Sequence, residues 1–249
     1  MSWTRIRAIF VKELRDYRRN RFIMLTMAIT PVIFIVVPIV DILVLPAVPS
    51  SAALDKRIGL SLLYMLIIPA VVPAALAAFS VVGERAQGTL EPVLTTPIRS
   101  EEFLLGKALA ALVPTLVISY AVFGIFLAFV GLFAHPSIAD AVFQTRHLLI
   151  QLLFTPLLAG WSIWVGIAIS ARSSDVRVAQ QLGTFASLPP LAVTGLLSFG
   201  VIHESVALGL GLGAALLLID ALGWRIVSVT FNRERLVTGS SGERVRGRG

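Results

Sequence analysis

Cysteine does not occur in the 249-residue sequence. Without it the chain can form neither a disulfide framework nor a metal site with thiolate ligands. Histidine is nearly as rare, since there are only His135, His147 and His203, and these lie far apart beside the ends of apolar runs. The sequence therefore predicts no metal site.

Charged residues are scarce as well, because they make up 14% of the chain against 57% hydrophobic residues. Soluble domains carry about 25% charged residues, so a water-soluble core of this size would have too little polar sequence to cover it. Lipid is the alternative solvent, and one membrane-spanning helix needs roughly 20 apolar residues. We therefore expect an all-α integral membrane protein with six transmembrane helices. The six runs are Phe22–Leu45, Ile58–Val82, Ala108–Ala134, Leu148–Ala171, Val178–Ile202 and Ser205–Trp224.

Basic residues lie almost entirely on one side of the predicted membrane. If the N-terminus is cytoplasmic, all of the 21 Lys and Arg residues except Lys56, Arg57 and Arg146 lie in cytoplasmic segments. The positive-inside rule then places both termini in the cytoplasm, and we expect a multi-pass protein of the cell membrane, plasma or inner. Anionic lipid head groups attract such basic flanks. Membrane lipids rather than nucleic acid are thus the expected partners of the basic surface.

Residues 1–21, before the first run, predict an amphipathic helix in the membrane interface. Apolar residues recur there at spacings of three and four, while most basic residues lie on other faces. A helix with one apolar stripe and a basic face lies along a membrane surface. It would be either a passive anchor or a lever that contacts a cytoplasmic partner. The stripe consists of Trp3, Ile6, Phe10, Leu14 and Tyr17.

A dense polar segment, GERAQGTLEPVLTTPIRSEEFLLGK, runs from Gly83 to Lys107 between the second and third runs. It is much longer than the two to eight residues that usually connect neighbouring helices. Thr89 can cap a short helix with Pro92 in its first turn, where the missing N–H is not needed. Ser100-Glu101-Glu102 predicts a second helix start, leading into the third span. An exposed apolar patch predicts a protein contact, and a helix resting on the bilayer is the alternative. The patch would consist of Leu90, Val93 and Leu94.

At this segment the sequence resembles the membrane subunit of ATP-binding cassette (ABC) transporters of the type-2 exporter superfamily. The first cytoplasmic loop of that family follows a pattern close to G-E-R-E-x-G-T-L-E-x-L-L-x-[ST]-P-[ILV]-x-x-x-E-x-x-x-G-K. The sequence departs from the pattern at Ala86, where the family has a charged residue, and at Val93. It matches at Gly83, Glu84, Arg85, Gly88, Thr89, Leu90, Glu91, Leu94, Thr96, Pro97, Ile98, Glu101, Gly106 and Lys107.

The resemblance implies a coupling helix in this loop, docked in a groove of a cytoplasmic ATPase. It also implies a complex of two ATPase subunits and two membrane chains, the second the same as this one or similar. ATP and Mg would bind to the ATPase, because this chain has no P-loop: Gly106-Lys107 is followed by Ala108. We expect no cofactor and no enzyme activity on this chain. The implied ATPase contacts are Glu84, Arg85, Thr89, Leu90, Glu91, Val93 and Leu94.

The predicted organisation has three parts: the interfacial helix at 1–21, a six-span domain at 22–232 with the coupling loop at 83–107, and a basic, disordered tail at 233–249. In the fifth run, Pro189-Pro190 predicts either a kink or a break into short re-entrant helices. Asp220 and Arg225, near the end of the sixth run, are a candidate intramembrane polar site. They would pair with each other or snorkel, or act on a substrate or a proton.

Together these features predict the permease subunit of an ABC exporter. It would move its substrate by alternating access while a separate ATPase subunit hydrolyses ATP. A membrane-embedded lipid-modifying enzyme would need clustered acids or histidines at the interface, and neither cluster occurs in the sequence. A secondary transporter would need charged or broken-helix ion sites and an inverted repeat, and no such repeat is evident. Both classes are kept as alternatives. The scarcity of charge in the spans favours an amphipathic or lipid-like substrate.

Overall fold

The computed structural model describes residues 1–44, 52–84, 88, 99–198 and 206–230, and all regular structure in these residues is helical. Within these described ranges, five helices are long and apolar enough to cross a membrane. These are α2 (Arg21–Val44), α3 (Ala52–Ala78), α4 (Ser100–Phe133), α6 (Thr145–Arg172) and α9 (Val206–Thr230). The shorter helices are α1 (Trp3–Arg19), α5 (Pro136–Val142), α7 (Val176–Ala186) and α8 (Leu188–Ser198).

The centre of the bundle is α3, which packs against α2, α4, α6, α7 and α8 and is almost entirely buried. Pro69 and Pro73 lie inside it, where neighbouring helices shield the backbone groups that proline leaves unbonded. The outer helices α2 and α9 instead turn large apolar side chains outward, such as Val32 and Leu218. Apolar rows of this kind are typical of helices that face lipid, because water would not tolerate so much exposed hydrocarbon.

The run predicted as the fifth span, Val178–Ile202, is not one continuous helix. It consists of α7 and α8, two eleven-residue helices that meet at Ser187, while its residues 199–202 lie outside the described ranges. Pro189 and Pro190 occupy the first turn of α8, a position that suits proline because the first N–H groups of a helix have no partner within it. The six predicted spans are therefore represented by five membrane-length helices and this broken pair.

The break is stabilised by side chains of α6. Trp161 Nε1 donates to the carbonyl oxygen of Ala186 at 2.8 Å, and Ser162 Oγ lies 2.8 Å from Ser187 Oγ. Because lipid offers no hydrogen bonds, a carbonyl released at a helix break needs such a partner from the protein.

Helix α1 packs against the start of α4 and the start of α2. Its buried residues are Ile6, Ile9, Glu13 and Tyr17, so Ile6 and Tyr17 of the predicted stripe are covered by protein. Phe10 and Leu14 are partly buried beside them, and Trp3 is exposed. The close crossing is made at Gly106, where an added Cβ would lie 2.7 Å from Ile9 Cβ. We call this end of the bundle the α1 end.

The N-terminus of α4 is at Ser100, and this confirms the predicted helix start. Arg99 is the N-cap residue, and its backbone N–H donates to Glu102 Oε2 at 3.2 Å. A glutamate in the third helical position commonly caps the start of a helix in this way, by accepting a hydrogen bond from the backbone N–H of the N-cap residue. The predicted tail at 233–249 lies outside the described residues.

Candidate functional site

Four charged side chains meet where α1, the end of the second span and α4 come together. We call Lys12, Glu13, Glu84 and Lys107 the ion cluster. Lys107 Nζ lies 2.8 Å from Glu13 Oε1 and 3.0 Å from Glu84 Oε1. Lys12 Nζ donates to Glu84 Oε1 and lies 3.2 Å from Glu13 Oε1. Each buried charge of the cluster therefore has an opposite charge beside it, which is the condition under which charged groups can be buried. At the exposed rim, Lys12 Nζ also lies 3.2 Å from Asp16 Oδ2.

Three members of the ion cluster are buried: Lys107 is 1% exposed, Glu13 5% and Glu84 6%. Lys12 forms the rim, since 42% of its side chain is exposed. Lys107 also lies 4.9 Å from the centre of the Phe103 ring, a favourable position for a cation. Removing one partner from such a cluster would leave an uncompensated buried charge.

The charge states of the cluster members on α1 are set by their neighbours. Burial on its own would raise the pKa of Glu13, but Lys107 and Lys12 outweigh that effect and hold the pKa below its ordinary value. Burial opposes the charge of Lys12 as well, yet Glu13 and Glu84 raise the pKa of Lys12. Burial, followed by the nearby acids, raises the pKa of Tyr17. At neutral pH Glu13 and Lys12 are therefore charged and Tyr17 is neutral.

A second group of contacts ties the beginning of α1 to α4. Glu102, which is buried, accepts a hydrogen bond from the backbone N–H of Ser2 at 2.6 Å. Its other carboxylate oxygen lies 3.5 Å from Arg5 Nη1. Together with the ion cluster, this fixes α1 to α4 at the beginning of α1 and just past its middle.

The residues predicted to contact an ATPase belong to the sequence segment that begins at Glu84 and ends before Glu102 and Lys107. Of them the structure describes Glu84, whose side chain is directed into the ion cluster. The coupling helix itself stays a prediction, because the other residues lie outside the described ranges. Those residues are Arg85, Thr89, Leu90, Glu91, Val93 and Leu94.

Sequence reasoning missed Lys12, Glu13 and Lys107 as site residues. The sequence did contain a signal for Glu13. This residue comes three positions after Phe10, so helical periodicity places it on the same face of α1 as the apolar stripe. For Lys107 there was no comparable signal in the sequence, because the close crossing at the neighbouring Gly106 is visible only in the structure.

Among the described residues, cavities open at the α1 end. One of about 470 Å³ lies beside the ion cluster, between α1, the start of α2 and the end of the second span. Another, of about 700 Å³, lies between Phe22, Phe79 and one face of α7. Its lining combines phenyl rings with hydrogen-bonding groups, which suits a molecule with an apolar and a polar part. From α7 it is lined by Val176, Arg177, Gln180, Gln181, Thr184 and Phe185.

The predicted intramembrane site at Asp220 and Arg225 has a different geometry. Asp220 Oδ1 accepts a hydrogen bond from Trp164 Nε1 of α6 at 3.0 Å, and Arg225 is exposed. Trp164 in turn packs edge-on against Trp161, with ring centres 5.1 Å apart. The carboxylate is thus held between α6 and α9 by an indole, and in the described part of the chain no ion pair joins it to Arg225. Within the same ranges, no group of three or more His, Cys, Asp or Glu residues is placed to hold a metal ion.

Comparison with models of known protein families identifies the family of the chain. Residues 4–203 match the family model described as ABC-2 type transporter. Comparison with curated proteins finds no match. The matched region runs from α1 through α8, includes the whole ion cluster and covers well over half of the chain. The chain is a multi-pass membrane permease that belongs to the ABC-2 type transporter family.

Proposed function

We propose that the chain is the permease subunit of an exporter, in which ATP hydrolysis on a separate ATPase subunit drives alternating access. The ion cluster is the observation that supports this most strongly. It holds Glu84 at the beginning of the predicted coupling loop and Lys107 at its end, and it joins both to α1. A force applied to the loop would therefore move α3, α4 and α1 together rather than bend a free connection.

The proposed complex contains two permease chains, the same or similar, and two ATPase subunits that bind ATP and Mg. The α1 end would face the cytoplasm, since Glu84 and Lys107, which flank the predicted coupling loop, and the basic residues of α1 lie at that end. In this arrangement α1 lies along the membrane interface, with its basic residues toward head groups or the ATPase. Of the two roles that its sequence pattern leaves open, a passive anchor and a lever that contacts a cytoplasmic partner, α1 would then have the second.

A six-span topology requires α7 and α8 to cross the membrane together as the fifth span. Their 22 residues would measure about 33 Å if the helices were coaxial, which is close to the hydrocarbon thickness. Both termini are then cytoplasmic, in the plasma or inner membrane. The bonds from Trp161 and Ser162 at the break support a kinked crossing that is covered by α6.

The proposed substrate is amphipathic or lipid-like. The 700 Å³ cavity at the α1 end supports this, because Arg177 and the Gln180 and Gln181 amides can bind a polar head while Phe22, Phe79 and Phe185 contact an apolar portion. A molecule of this class would load from the cytoplasmic leaflet. Transport that continues without ATP hydrolysis would instead favour a secondary transporter.

Substitution of the predicted apolar patch tests the proposed function. Burying a leucine side chain at a protein contact stabilises it by roughly 1.5–3 kcal/mol, and an unpaired carboxylate there adds a desolvation cost. We expect the double variant Leu90→Asp with Leu94→Asp to insert normally but to lose co-purification with its ATPase and the permease-dependent part of ATP hydrolysis. Leu90→Met with Leu94→Met, which keeps the patch apolar and of similar volume, is the control. Unchanged co-purification and hydrolysis in the double variant would refute the coupling assignment.

A further inference from the structure

The second span does not continue as an α-helix into the predicted coupling loop. Its last five residues, Phe79–Gly83, form a π-helical turn, in which hydrogen bonds reach five residues along the chain instead of four. We call this segment the π-turn. Ser80, Val81, Val82 and Gly83 are all buried, so the backbone groups displaced by the wider turn are out of reach of water.

A single hydroxyl group from α6 satisfies those backbone groups. Ser170 Oγ accepts hydrogen bonds from the N–H groups of Val81 at 3.2 Å and Val82 at 3.1 Å. It donates to the carbonyl oxygen of Ala78 at 2.8 Å. A serine hydroxyl offers one donor and two acceptor positions, and all three are used. Ser170 is fully buried, so no solvent can replace it.

The π-turn also sets the direction in which Glu84 points. Each residue of an α-helix turns the chain by about 100°, and a π-turn holds about one residue more than an α-helical turn. If the same residues formed an α-helix, Glu84 would therefore point about 100° away from its present direction. In the present direction it reaches both Lys107 and Lys12.

We propose that Ser170 is a positioning residue for coupling, because it holds the π-turn and the π-turn holds Glu84 in the ion cluster. Conversion of the π-turn to an α-helix breaks the three Ser170 hydrogen bonds and rotates Glu84, with the attached loop, out of the cluster. This conversion is the local movement by which the loop and α3 act on each other. That last step rests on the proposed function, whereas the positioning of Glu84 does not.

The direction of residue 84 can be measured in a chain that lacks native cysteine. The pair Lys12→Cys and Glu84→Cys leaves the buried Glu13–Lys107 pair complete and reports proximity through a short bis-maleimide crosslinker, applied to the complex in membranes. Adding Ser170→Ala should lower crosslinking by about tenfold, as expected when buried backbone groups lose their partner. Ser170→Thr, which keeps the hydroxyl, should restore crosslinking. Ser162→Ala, the loss of another buried, hydrogen-bonded serine of α6, should leave it unchanged.

Deletion of Ser80 separates positioning from general loss of structure. It removes the extra residue of the π-turn, so an ordinary α-helix would present residue 84 in its present direction without help from Ser170. In the described residues Ser80 Oγ has no hydrogen-bond partner, so the deletion leaves no side chain unpaired. We expect the deletion to restore crosslinking in the Ser170→Ala background. If crosslinking is unaffected by Ser170→Ala, or is not restored by the deletion, the positioning role is wrong.

ATP hydrolysis by the same complexes tests the coupling step separately. Ser170→Ala, in a chain with native Lys12 and Glu84, should lower permease-dependent hydrolysis by about tenfold, while co-purification with the ATPase remains normal. Normal hydrolysis together with reduced crosslinking would show that Glu84 is positioned by Ser170 but that the rotation has no part in coupling. Loss of co-purification would instead point to failure of the proposed docking.

Discussion

Lys107 shows how much a single residue depends on its partners. Its ammonium group is buried between Glu13, Glu84 and the Phe103 ring. A cation in such a place is stable only while opposite charges and hydrogen bonds compensate for the water it has lost. The two carboxylates depend on Lys107 in the same way. If Lys107 were lost, Lys12 would be the only cation of the cluster left beside Glu13 and Glu84.

Replacing Lys107 by methionine should therefore destabilise the protein far more than the loss of one surface charge. Breaking a buried pair costs about 3–5 kcal/mol. The measurement is the midpoint of thermal unfolding in detergent, with Lys56→Met as the control because Lys56 is an exposed lysine of α3. The double variant Lys107→Met with Glu13→Gln should recover part of the loss. Equal midpoints for Lys107→Met and Lys56→Met would show that the cluster contributes no stability.

The pH dependence of stability follows from the pKa shifts on α1. The pKa of Glu13 is lowered from 4.5, so its contribution is present above that pH and is lost as the pH falls through the lower, folded-state value. The pKa of Lys12 is raised from 10.5, so its contribution is present below that pH and is lost as the pH rises further. Unfolding midpoints should thus be level from about pH 6 to 9 and fall in acid. Glu13→Gln should reduce the acid-dependent part, and an undiminished fall would assign it to other groups.

At the scale of the helices, the crossing of α1 over α4 depends on Gly106. A Cβ there would lie 2.7 Å from Ile9 Cβ and 3.2 Å from the carbonyl oxygen of Ile6, and the second contact is with backbone that cannot rotate away. The glycine thus allows α1 to approach until Glu13 reaches Lys107. The position of α1 and the pairing of Glu13 with Lys107 therefore depend on each other.

Gly106→Ala should push α1 away from α4 and weaken the ion cluster. Overpacking of this kind costs about 1–3 kcal/mol, and the unfolding midpoint measures it. Gly124→Ala is a close control, because Gly124 lies in the same helix and an added Cβ would meet nothing within 4 Å. That control should be neutral or slightly stabilising, since alanine is the better helix former. A Gly106→Ala protein as stable as the control would contradict the proposed close crossing.

The apolar runs predicted the membrane helices well, because hydrocarbon length leaves few alternatives. The features on which the proposed coupling depends were not predictable in the same way. The residues of the π-turn, FSVVG, are ordinary for an α-helix. The partner of its backbone groups is Ser170, which comes much later in the sequence, so the segment itself gives no sign of the wider turn. Glu13 looked like a polar residue of a basic helix, since periodicity does not reveal that Lys107 faces it. Pro189-Pro190 predicted that the helix of the fifth span is interrupted, but the two prolines did not distinguish a kink from a break.

For the whole molecule, the predicted topology places both termini in the cytoplasm. Single cysteines can be introduced one at a time, because the sequence supplies no background thiol. Cysteine at Ser51 or Ser137 should react with an impermeant reagent from outside intact cells, whereas cysteine at Thr95, Ser174 or Ser240 should react only after the membrane is opened. Labelling of position 95 from outside would reverse the orientation and place the predicted coupling loop on the wrong side.

The order in which the chain is synthesised gives the ion cluster a further consequence. All four of its charged groups belong to the first 107 residues, so the cluster can close once the translocon has released α4. The π-turn is different, because its hydroxyl partner is supplied by α6, which is made later. A nascent chain that ends before α6 therefore holds α1 in place while the backbone of the second span still lacks its partner. Insertion of α6 would then complete the hydrogen bonding of the π-turn.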